Sequence, residues 1–402
     1  MSLCFRKLLL FEIPCSKFDI QNTSFVTLLP GGFRMGVPLI QQYRVASYIT
    51  KQKLRGQKRY PLVLMLEPLF RCNLACAGCG KIEHPEEILD KTLSVEVCLA
   101  AVDECGAPVV SIAGGEPLLH KEMAQIVAGI IRRKKFVYLC TNGLLLKKHL
   151  VDYTPSPYLT FSIHLDGNRE RHDALVCRQG VFDLAVDAIK SANQKGFRVT
   201  INSTLYEGVS AQEAAEFFDF AMGLGIEGVT IAPGFSYERA SQQEVFLQRT
   251  ASKQLFRDIF KLAKGRKWKF NHTTLYLNFL AGNQDYQCTP WGNPTRNIFG
   301  WQRPCYLLQE GSHASSFREL IEETDWDRYG TGRNPKCAQC MLHSGFEPSA
   351  VNDMLTHPLK ALWVSLRGPR TSGPMAPDFS VEGSATASEP CGEKEIEHPA
   401  GS

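Results

Sequence analysis

The sequence contains no long apolar run, no strong excess of one charge and no convincing secretory leader. None of its hydrophobic stretches approaches the roughly 20 residues that a membrane-spanning helix needs. The leucine-rich run at residues 8–11 is short, is interrupted by Glu12 and Pro14, and has no cleavage site after it. A net charge of +4 is too weak to indicate a nucleic-acid partner. With 402 residues, of which 44% are hydrophobic, the chain is expected to form one large globular domain with an appendage.

Cysteine, in contrast, is plentiful, and its spacing is typical of metal sites. The chain has fourteen cysteines, among them a CxxxCxxC group at Cys72, Cys76 and Cys79 and a CxxC pair at Cys337 and Cys340. In a chain of this length such clustering favours metal binding over a disulfide framework. It predicts a reducing and therefore cytoplasmic compartment.

The cysteine triplet follows the apolar run at residues 62–66, which is typical of a buried strand. Iron–sulfur clusters normally take four cysteines. A triplet with no fourth cysteine nearby therefore predicts a four-iron cluster in which one iron stays open for a small molecule. The alternative is a three-cysteine zinc site completed by His84.

From residue 62 onward, predicted strands alternate with predicted helices. Such alternation indicates parallel strands joined by right-handed crossovers. Six units are too few for a closed eight-fold barrel, so a partial (β/α)6 barrel is expected. The predicted strands are residues 62–67, 109–113, 136–141, 159–164, 198–205 and 228–232, and the predicted helices are residues 94–104, 121–133, 145–153, 181–195 and 211–223.

Polar or glycine-rich groups follow most of these strands. On a parallel barrel the chemistry gathers at the carboxyl ends of the strands, so these groups are expected near the cysteine triplet. Each one alone could also be an ordinary turn or a satisfied polar group at a strand end. The candidates are Gly114, Gly115, Glu116, Pro117, Ser162, His164, Asp166, Asn202, Thr204 and Pro233.

The composition changes along the chain and predicts five segments. Residues 1–34 are expected to be a disordered arm or an upstream artefact, with Met35 as the natural start. Residues 35–60 form a helical lead-in, 61–235 the partial barrel, and 236–367 a smaller C-terminal α+β domain that binds substrate, in which residues 274–280 are expected to form a strand. Residues 368–402, rich in Pro, Gly, Ser and Glu, are expected to be a disordered tail.

Residues 38–53 have apolar side chains at helical spacing and are followed by a basic cluster. One interpretation is a helix packed on the domain with a solvated basic end. The other is peripheral contact with the inner face of the membrane through an apolar stripe and basic residues. The apolar positions are Leu39, Ile40, Tyr43, Ala46 and Ile49, and the basic ones are Lys51, Lys53, Arg55, Lys58 and Arg59.

The late cysteines Cys288, Cys305, Cys337 and Cys340 allow more than one assignment. Together they could hold an auxiliary iron–sulfur cluster or a zinc ion. Alternatively, Cys288 and Cys305 are packing residues in a loop rich in tryptophan and proline. The spacing does not decide between these assignments.

The CxxxCxxC spacing and the Gly114-Gly115-Glu116-Pro117 segment resemble the radical S-adenosylmethionine (SAM) superfamily. The resemblance implies that SAM chelates the open iron of a 4Fe-4S cluster and is split to a 5′-deoxyadenosyl radical. It further implies that the strand-end groups named above hold the amino group, carboxylate and ribose of SAM. One departure is Gly78, because many members carry an aromatic residue just before the third cysteine.

Cys140 ends the third predicted strand and should face the same mouth as the cluster. A cysteine at a strand end is often a small buried filler. However, an alkyl radical needs a hydrogen atom to finish a reaction, and a thiol has the weakest such bond among side chains. Cys140 is therefore the candidate catalytic residue.

Residues 35–367 also resemble the adenosyl-hopene transferases of hopanoid biosynthesis. This resemblance implies that the radical adds to the terminal alkene of diploptene, that SAM is consumed, and that an external donor such as flavodoxin or ferredoxin supplies electrons. An apolar channel is expected, with Phe279, Leu280, Trp291, Phe299 and Trp301 as lining residues. The resemblance is carried by residues 72–81, 139–142, 162–167, 289–296 and 300–307.

Two other classes stay open on the sequence alone. One is a radical enzyme of the same fold that modifies a peptide and uses the late cysteines for an auxiliary cluster. The other is a metal-binding protein without catalytic activity, which would not cleave SAM.

Overall fold

The computed structural model describes residues 34–235, 239–240, 242–308 and 312–377. Its strands are β1 (Arg34–Met35), β2 (Val63–Leu66), β3 (Val109–Ile112), β4 (Phe136–Thr141), β5 (Leu159–His164), β6 (Arg198–Leu205), β7 (Val229–Pro233), β8 (Lys269–Phe270), β9 (Thr295–Asn297) and β10 (Gly300–Trp301). Its α-helices are α1 (Leu39–Leu54), α2 (Glu86–Leu89), α3 (Val95–Cys105), α4 (Met123–Arg132), α5 (Leu146–His149), α6 (Arg169–Leu175), α7 (Val181–Gln194), α8 (Ala211–Gly223), α9 (Arg249–Leu262), α10 (Thr274–Leu280), α11 (Phe317–Glu323), α12 (His343–Thr356) and α13 (Pro358–Arg367).

The strands form one mostly parallel sheet in the order β1-β8-β7-β6-β5-β4-β3-β2-β9-β10. Only the β9–β10 pairing among the described strands is antiparallel. Strands β2 to β7 follow each other in the sheet as they do in the chain, and β1 and β10 form its two edges, so the barrel is not closed. The expected α/β partial barrel is confirmed.

Local sequence explains most of these elements. The bounds predicted for the strands at residues 136–141, 159–164 and 198–205 agree with β4, β5 and β6. Helix α8 begins with a capping box, in which Ser210 Oγ accepts from the Glu213 N–H and the Glu213 carboxylate accepts from the Ser210 N–H. Helix α3 ends at Gly106 in the left-handed conformation, with φ 69°.

The predicted strand at residues 274–280 is wrong, because the segment forms α10. Thr273 caps this helix through its side-chain oxygen, which accepts from the Tyr276 N–H at 3.2 Å. All seven residues of α10 are buried. A short apolar run that is buried on every side has no period that separates a strand from a helix.

The region after residue 235 adds strands to the barrel sheet on both sides. Strand β8 extends it beside β7, and β9 extends it beside β2. One buried apolar cluster includes barrel residues such as Ile112 and late residues such as Phe346. The late region therefore shares its core with the barrel, and the predicted domain boundaries, including those at residues 60 and 235, stay predictions.

The disorder predicted from Gly368 is wrong for residues 370–376. The buried guanidinium of Arg257 donates to the Gly373 and Pro374 carbonyls, at 2.7 and 3.3 Å. The Ala376 N–H donates to the Gly282 carbonyl at 2.8 Å. The rest of the predicted tail, residues 378–402, and the predicted N-terminal arm, residues 1–33, lie outside the described residues.

Candidate active site

The cysteine loop follows β2 at the carboxyl edge of the sheet. Its turn is closed by a hydrogen bond from the Cys79 N–H to the Cys76 carbonyl, at 3.1 Å. The side-chain amide of Asn142, just after β4, donates to Asn73 Oδ1 at 2.7 Å and lies 3.9 Å from Cys72 Sγ. The loop is thus fastened to the end of a neighbouring strand.

Burial raises the pKa of each of the three thiols, for Cys72 to about 11. The thiols also act on each other, since Cys79 and Cys72 further raise the pKa of Cys76. Three thiols crowded together resist ionisation unless a cation balances them, and bound iron does so. The residues therefore fit a cluster held by Cys72, Cys76 and Cys79.

His84 does not complete a zinc site. Its ring stacks on Phe70 with centroids 5.0 Å apart, and its Nδ1 lies 3.1 Å from a guanidinium nitrogen of Arg239. Among the described residues, no three His, Cys, Asp or Glu side chains are close enough to hold a single metal ion.

The glycine segment after β3 packs directly on the cysteine loop. A Cβ atom at Gly114 would lie 2.3 Å from the Leu69 carbonyl oxygen, and one at Gly115 would lie 2.0 Å from that of Arg71. Only glycine fits these two positions. Pro117 is buried and begins a short 3-10 turn directly after the segment.

Glu116 joins the ends of two strands. Its buried carboxylate accepts from the Leu118 N–H at 3.0 Å, from Thr141 Oγ1 at 2.8 Å and from the Asn142 N–H at 2.8 Å. Burial nevertheless raises the pKa of this carboxyl. Three donors leave about one acceptor position of the carboxylate for another group, so its contact with the SAM amino group stays a prediction.

Asp166 organises the opposite side of the site. Its buried carboxylate accepts from His164 Nε2 at 2.5 Å and from the Thr204 N–H at 2.7 Å. Burial alone lowers the pKa of His164, but Asp166 outweighs burial and raises it. Asp166 also acts on the thiol of Cys76. These three predicted residues therefore lie together beside the cysteines.

Tyr206, which the sequence analysis missed, fills the space beside Gly78. A Cβ atom at Gly78 would lie 2.6 Å from the Tyr206 hydroxyl, and one at Gly234 would lie 2.7 Å from its ring. The aromatic side chain that many superfamily members place before the third cysteine is thus supplied from the end of β6. A tyrosine two residues after Thr204 was the available signal.

We expect Tyr206→Ala to weaken SAM binding about tenfold, because an aromatic ring that stacks on a base contributes about 1–3 kcal/mol. Tyr206→Phe should bind SAM nearly as well as the parent. Adding Gly78→Tyr to Tyr206→Ala should recover part of the loss by returning a ring from the other side. Equilibrium binding of SAM to the reconstituted protein measures all three, and unchanged affinity in Tyr206→Ala contradicts the assignment.

A cavity of about 470 Å³ opens inside the barrel. Its inner part is lined by Gly114, Cys140, Ser162 and Asn202, four of the predicted site residues. The other end lies between α1 and α12, where the apolar lining residues are Val45, Ala46, Ile49, Val351, Met354 and Leu355.

The expected lining residues Phe279, Leu280, Trp291, Phe299 and Trp301 do not line this cavity. Phe279 and Leu280 are buried in the core on α10, and Trp301 donates to Glu104 from its ring nitrogen at 3.2 Å. Trp291 packs edge-on against Trp326, and Phe299 is partly exposed. Apolar residue type alone could not distinguish core residues from cavity walls.

Cys140 reaches the cavity from the end of β4. Its Sγ lies 3.4 Å from Ser111 Oγ, and burial raises the pKa of the thiol. A raised pKa keeps the sulfur protonated at neutral pH. The chain thus presents an S–H group, rather than a thiolate, to whatever occupies the cavity.

A buried ion pair that the sequence did not reveal connects the cavity with the cysteine loop. Lys81 Nζ lies 2.8 and 2.9 Å from the two carboxylate oxygens of Glu67, and both residues line the cavity. The ammonium group also lies 5.9 Å from the ring centre of Tyr306. The charges of Lys81 and Glu67 both act on the thiol of Cys79, so the pair lies close to the cysteine loop as well as to the cavity.

Pro233 ends β7 and is buried. It does not line the cavity, and its predicted contact with SAM stays a prediction.

Comparisons with known proteins agree with this geometry. Residues 66–221 match the radical SAM superfamily, and residues 229–364 match a domain of unknown function, DUF3463. The chain is 21% identical to GTP 3′,8-cyclase of Clostridium perfringens (strain SM101 / Type A), over 64% of this chain and 87% of that protein. It is 29% identical to the subtilosin biosynthesis protein AlbA of Bacillus subtilis (strain 168), over 38% and 35%. The crystal structure of Streptococcus suis SuiB bound to its precursor peptide SuiA has a similar fold, with a TM-score of 0.57 at 18% identity, covering 77% of this chain and 75% of that one.

Proposed function

Because this chain is a radical SAM enzyme that uses a 4Fe-4S cluster and SAM, we propose that it adds the 5′-deoxyadenosyl group of SAM to the terminal alkene of diploptene, giving adenosylhopane. When bound, the cluster supplies the electron that splits the sulfonium of SAM. The observation that carries the proposal is the apolar cavity that begins between α1 and α12 and reaches the thiol of Cys140. A flavodoxin or ferredoxin is the proposed electron donor.

The cavity walls suit a hydrocarbon. Diploptene has no polar group, so its binding depends on burial at about 0.8 kcal/mol for each CH₂. Side chains such as Val63, Met65 and Val109 line the interior of the barrel, and α1 and α12 add further apolar side chains. A volume of about 470 Å³ lies within the range of small-molecule sites.

Cys140 has a defined task in this reaction. Addition to the terminal carbon leaves the unpaired electron on the more substituted carbon. A hydrogen atom then moves from Cys140 sulfur to that carbon, so an S–H bond breaks and a C–H bond forms. The thiyl radical left on Cys140 regains one electron from the external donor and one proton from solvent.

Anaerobic incubation with SAM, reductant and diploptene tests the proposal. We expect the lipid extract to contain an adenosylated C30 product and the aqueous phase to lose SAM in step with it. The saturated analogue, which lacks the alkene, is the matched control and should give no adduct. Cleavage of SAM to 5′-deoxyadenosine without any adenosylated lipid contradicts the proposal.

Peptide modification is the main rival activity. The likeness to SuiB concerns the fold. Each residue of a peptide carries a backbone N–H donor and a C=O acceptor, and both would need hydrogen-bond partners in the cavity. The apolar residues of α1 and α12 offer no such partners, and the polar lining from these helices is limited to Gln41, Gln42, His343, Ser344 and Glu347. In the same assay GTP, the substrate class named by other relatives, should be recovered unchanged.

The outer face of α1 supports a contact with a lipid surface. Its inner face lines the cavity with Gln41, Val45 and Ile49, whereas Tyr43 and Leu54 are 71% and 83% exposed. Helix α13, which packs against α12, exposes Leu359, Leu362, Trp363 and Leu366. Among the described residues, no helix combines the length and hydrophobicity needed to cross a bilayer. We therefore propose peripheral attachment, which would let a bilayer lipid reach the cavity between α1 and α12.

The basic residues at the end of α1 make this attachment sensitive to lipid charge. Replacing Lys51 and Lys53 with serine should weaken binding to vesicles with anionic lipid about tenfold or more, because each cation near such a surface contributes about 1 kcal/mol. Leu184→Ser, at an exposed apolar residue of α7, is the matched control and should bind as the parent does. Vesicle co-sedimentation measures the effect, and equal binding of the parent to anionic and uncharged vesicles contradicts it.

A further inference from the structure

One wall of the cavity is polar. Its side chains come from the loop before β9 and from the start of α12, and they are Asn293, His343, Ser344 and Glu347. We call these four side chains the polar wall. The two segments that carry them pack together, because the Thr289 N–H donates to the Gly345 carbonyl at 2.8 Å and a Cβ atom at Gly292 would lie 2.6 Å from the Pro348 ring.

Glu347 is already engaged by the protein. Its carboxylate accepts from the Thr273 N–H at 2.7 Å and lies 3.1 Å from His272 Nδ1. His272 Nε2 accepts from the Ile231 N–H at 2.9 Å, so the ring hydrogen lies on Nδ1 and is donated to Glu347. Both oxygens of Glu347 thus have a partner, and the carboxylate ties α12 to the segment that follows β8.

Asn293 and His343, in contrast, each have an unpaired polar atom. Asn293 Oδ1 and His343 Nδ1 are buried and have no hydrogen-bond partner among the residues that the structure describes. Asn293 is 7% exposed, and burial lowers the pKa of His343 to about 3, so its ring is neutral near pH 7. A buried polar atom without a partner destabilises a protein. Since both residues line the cavity, a ligand there can supply the hydrogen bonds.

The chemistry of these two side chains favours a hydroxyl group as the ligand. Asn293 Oδ1 only accepts a hydrogen bond, whereas a neutral histidine ring can donate or accept one. A hydroxyl group does both, so it can donate to Asn293 and also pair with His343. A ketone oxygen would leave Asn293 Oδ1 unpaired, and an anion would be repelled by the carboxylate of Glu347.

We propose that Asn293 and His343 bind a hydroxyl group, so that the cavity holds a terpenoid alcohol more tightly than a saturated hydrocarbon with the same carbon skeleton. The choice of skeleton rests on the proposed function. The alcohol formed when water adds across the terminal alkene of diploptene carries one hydroxyl group but has no double bond to which a radical can add. It would therefore occupy the cavity without reacting and inhibit the adenosylation competitively.

The apolar part of the lining would treat the alcohol and the hydrocarbon alike. Ile49 of α1 and Val351 and Leu355 of α12 would bury the carbon skeleton whether or not it carries a hydroxyl group. Gln41, a polar lining residue of α1, is already paired with the Tyr138 hydroxyl at 3.1 Å. A difference in affinity between the two lipids therefore reports on the hydroxyl group, and variants of the polar wall locate its partners.

Competition between the two lipids tests the inference. The full chain is equilibrated in detergent micelles with equal amounts of the alcohol and the saturated hydrocarbon, then isolated and extracted for mass analysis. We expect the parent to retain about tenfold more alcohol than hydrocarbon, the preference that one or two net hydrogen bonds give. Asn293→Leu and His343→Phe roughly keep the side-chain size, and each should lower this ratio about threefold or more, because one hydrogen bond is lost.

Val351→Ala, at an apolar lining residue of α12, is the matched control. It should weaken the retention of both lipids to the same extent and leave their ratio unchanged. A purely structural role of Asn293 would also change both lipids together, whereas a role in binding the hydroxyl group changes the alcohol alone.

Two results would overturn the inference. One is equal retention of the two lipids by the parent, which decides the question even if a variant fails to fold. The other is a loss of SAM binding in Asn293→Leu with an unchanged lipid ratio, because Asn293 would then serve the hydroxyl groups of the SAM ribose. The assay needs no turnover, so a missing adduct with a preserved ratio counts against the proposed function alone.

Discussion

Alanine at Cys72, Cys76 or Cys79 should eliminate the iron signal that responds to SAM, together with all cleavage of SAM. In the proposed site, each thiol would supply one of three protein bonds to the cluster, and the remaining iron would stay open for SAM. Loss of one ligand exposes or releases the iron to which SAM binds, so turnover should fall below detection. Reduced-state EPR with and without SAM, and release of 5′-deoxyadenosine, are the two measurements.

Two buried cysteines that lie outside the cysteine triplet provide the control. Cys98 and Cys105 lie on α3 and are buried in the core. Cys98→Ala and Cys105→Ala should lower stability, by about 1 kcal/mol for a small buried side chain, but should keep the EPR response and the cleavage of SAM. If Cys76→Ala retains full turnover, the chain does not use radical chemistry of this kind, and the proposed function fails at its first step.

Much of the barrel could be predicted from the sequence because its signals are local. Strand β5 alternates the apolar residues Leu159, Phe161 and Ile163 with polar ones, and every residue from Leu159 to Ile163 is buried. The glycine segment at Gly114 and Gly115 was found from its resemblance to a superfamily motif, and its close contact with the Leu69 and Arg71 carbonyls explains why no side chain fits there. Both features could therefore be predicted from short stretches of sequence.

An apolar channel was expected, but the residues that line the cavity could not be predicted, because they depend on contacts between distant parts of the chain. Helix α1 and helix α12 face each other across it, although about 300 residues separate Ile49 from Val351. Whether Phe279 lines a cavity or fills a core depends on that arrangement, and its residue type is the same in both cases. Tyr206 was missed for a related reason, because its side chain fills the space beside Gly78, which lies on another loop.

The contact between the end of β4 and the cysteine loop also fixes how the two halves of the proposed reaction are placed. Asn142 contacts the cysteine loop, and the residue two positions before it is Cys140. Strand β4 therefore holds Cys140, the proposed hydrogen donor, at a fixed position relative to the cysteine loop. A radical formed near Cys72 and a substrate carbon near Cys140 can react in sequence without a large movement of the barrel.

Replacing Cys140 should separate the two halves of the reaction. Cys140→Ala and Cys140→Ser should cleave SAM within about twofold of the parent rate, because neither change touches a cluster ligand. The yield of saturated adduct should fall about tenfold or more, or the new centre should form as a mixture of configurations. Serine keeps the contact with Ser111 but has a much stronger bond to hydrogen, so it distinguishes lost packing from lost hydrogen donation.

Deuterated water gives the sharpest measurement. A thiol exchanges its hydrogen with solvent, so the parent in D₂O should place one deuterium at the new carbon centre, and the Cys140 variants should not. Since burial raises the pKa of Cys140, the S–H form persists on the alkaline side, and deuterium incorporation should be level from about pH 7 to about pH 9. Ser111→Ala is the matched control, because it removes the neighbouring hydroxyl and leaves the thiol. Unchanged yield, configuration and deuterium content in Cys140→Ala would show that another group delivers the hydrogen.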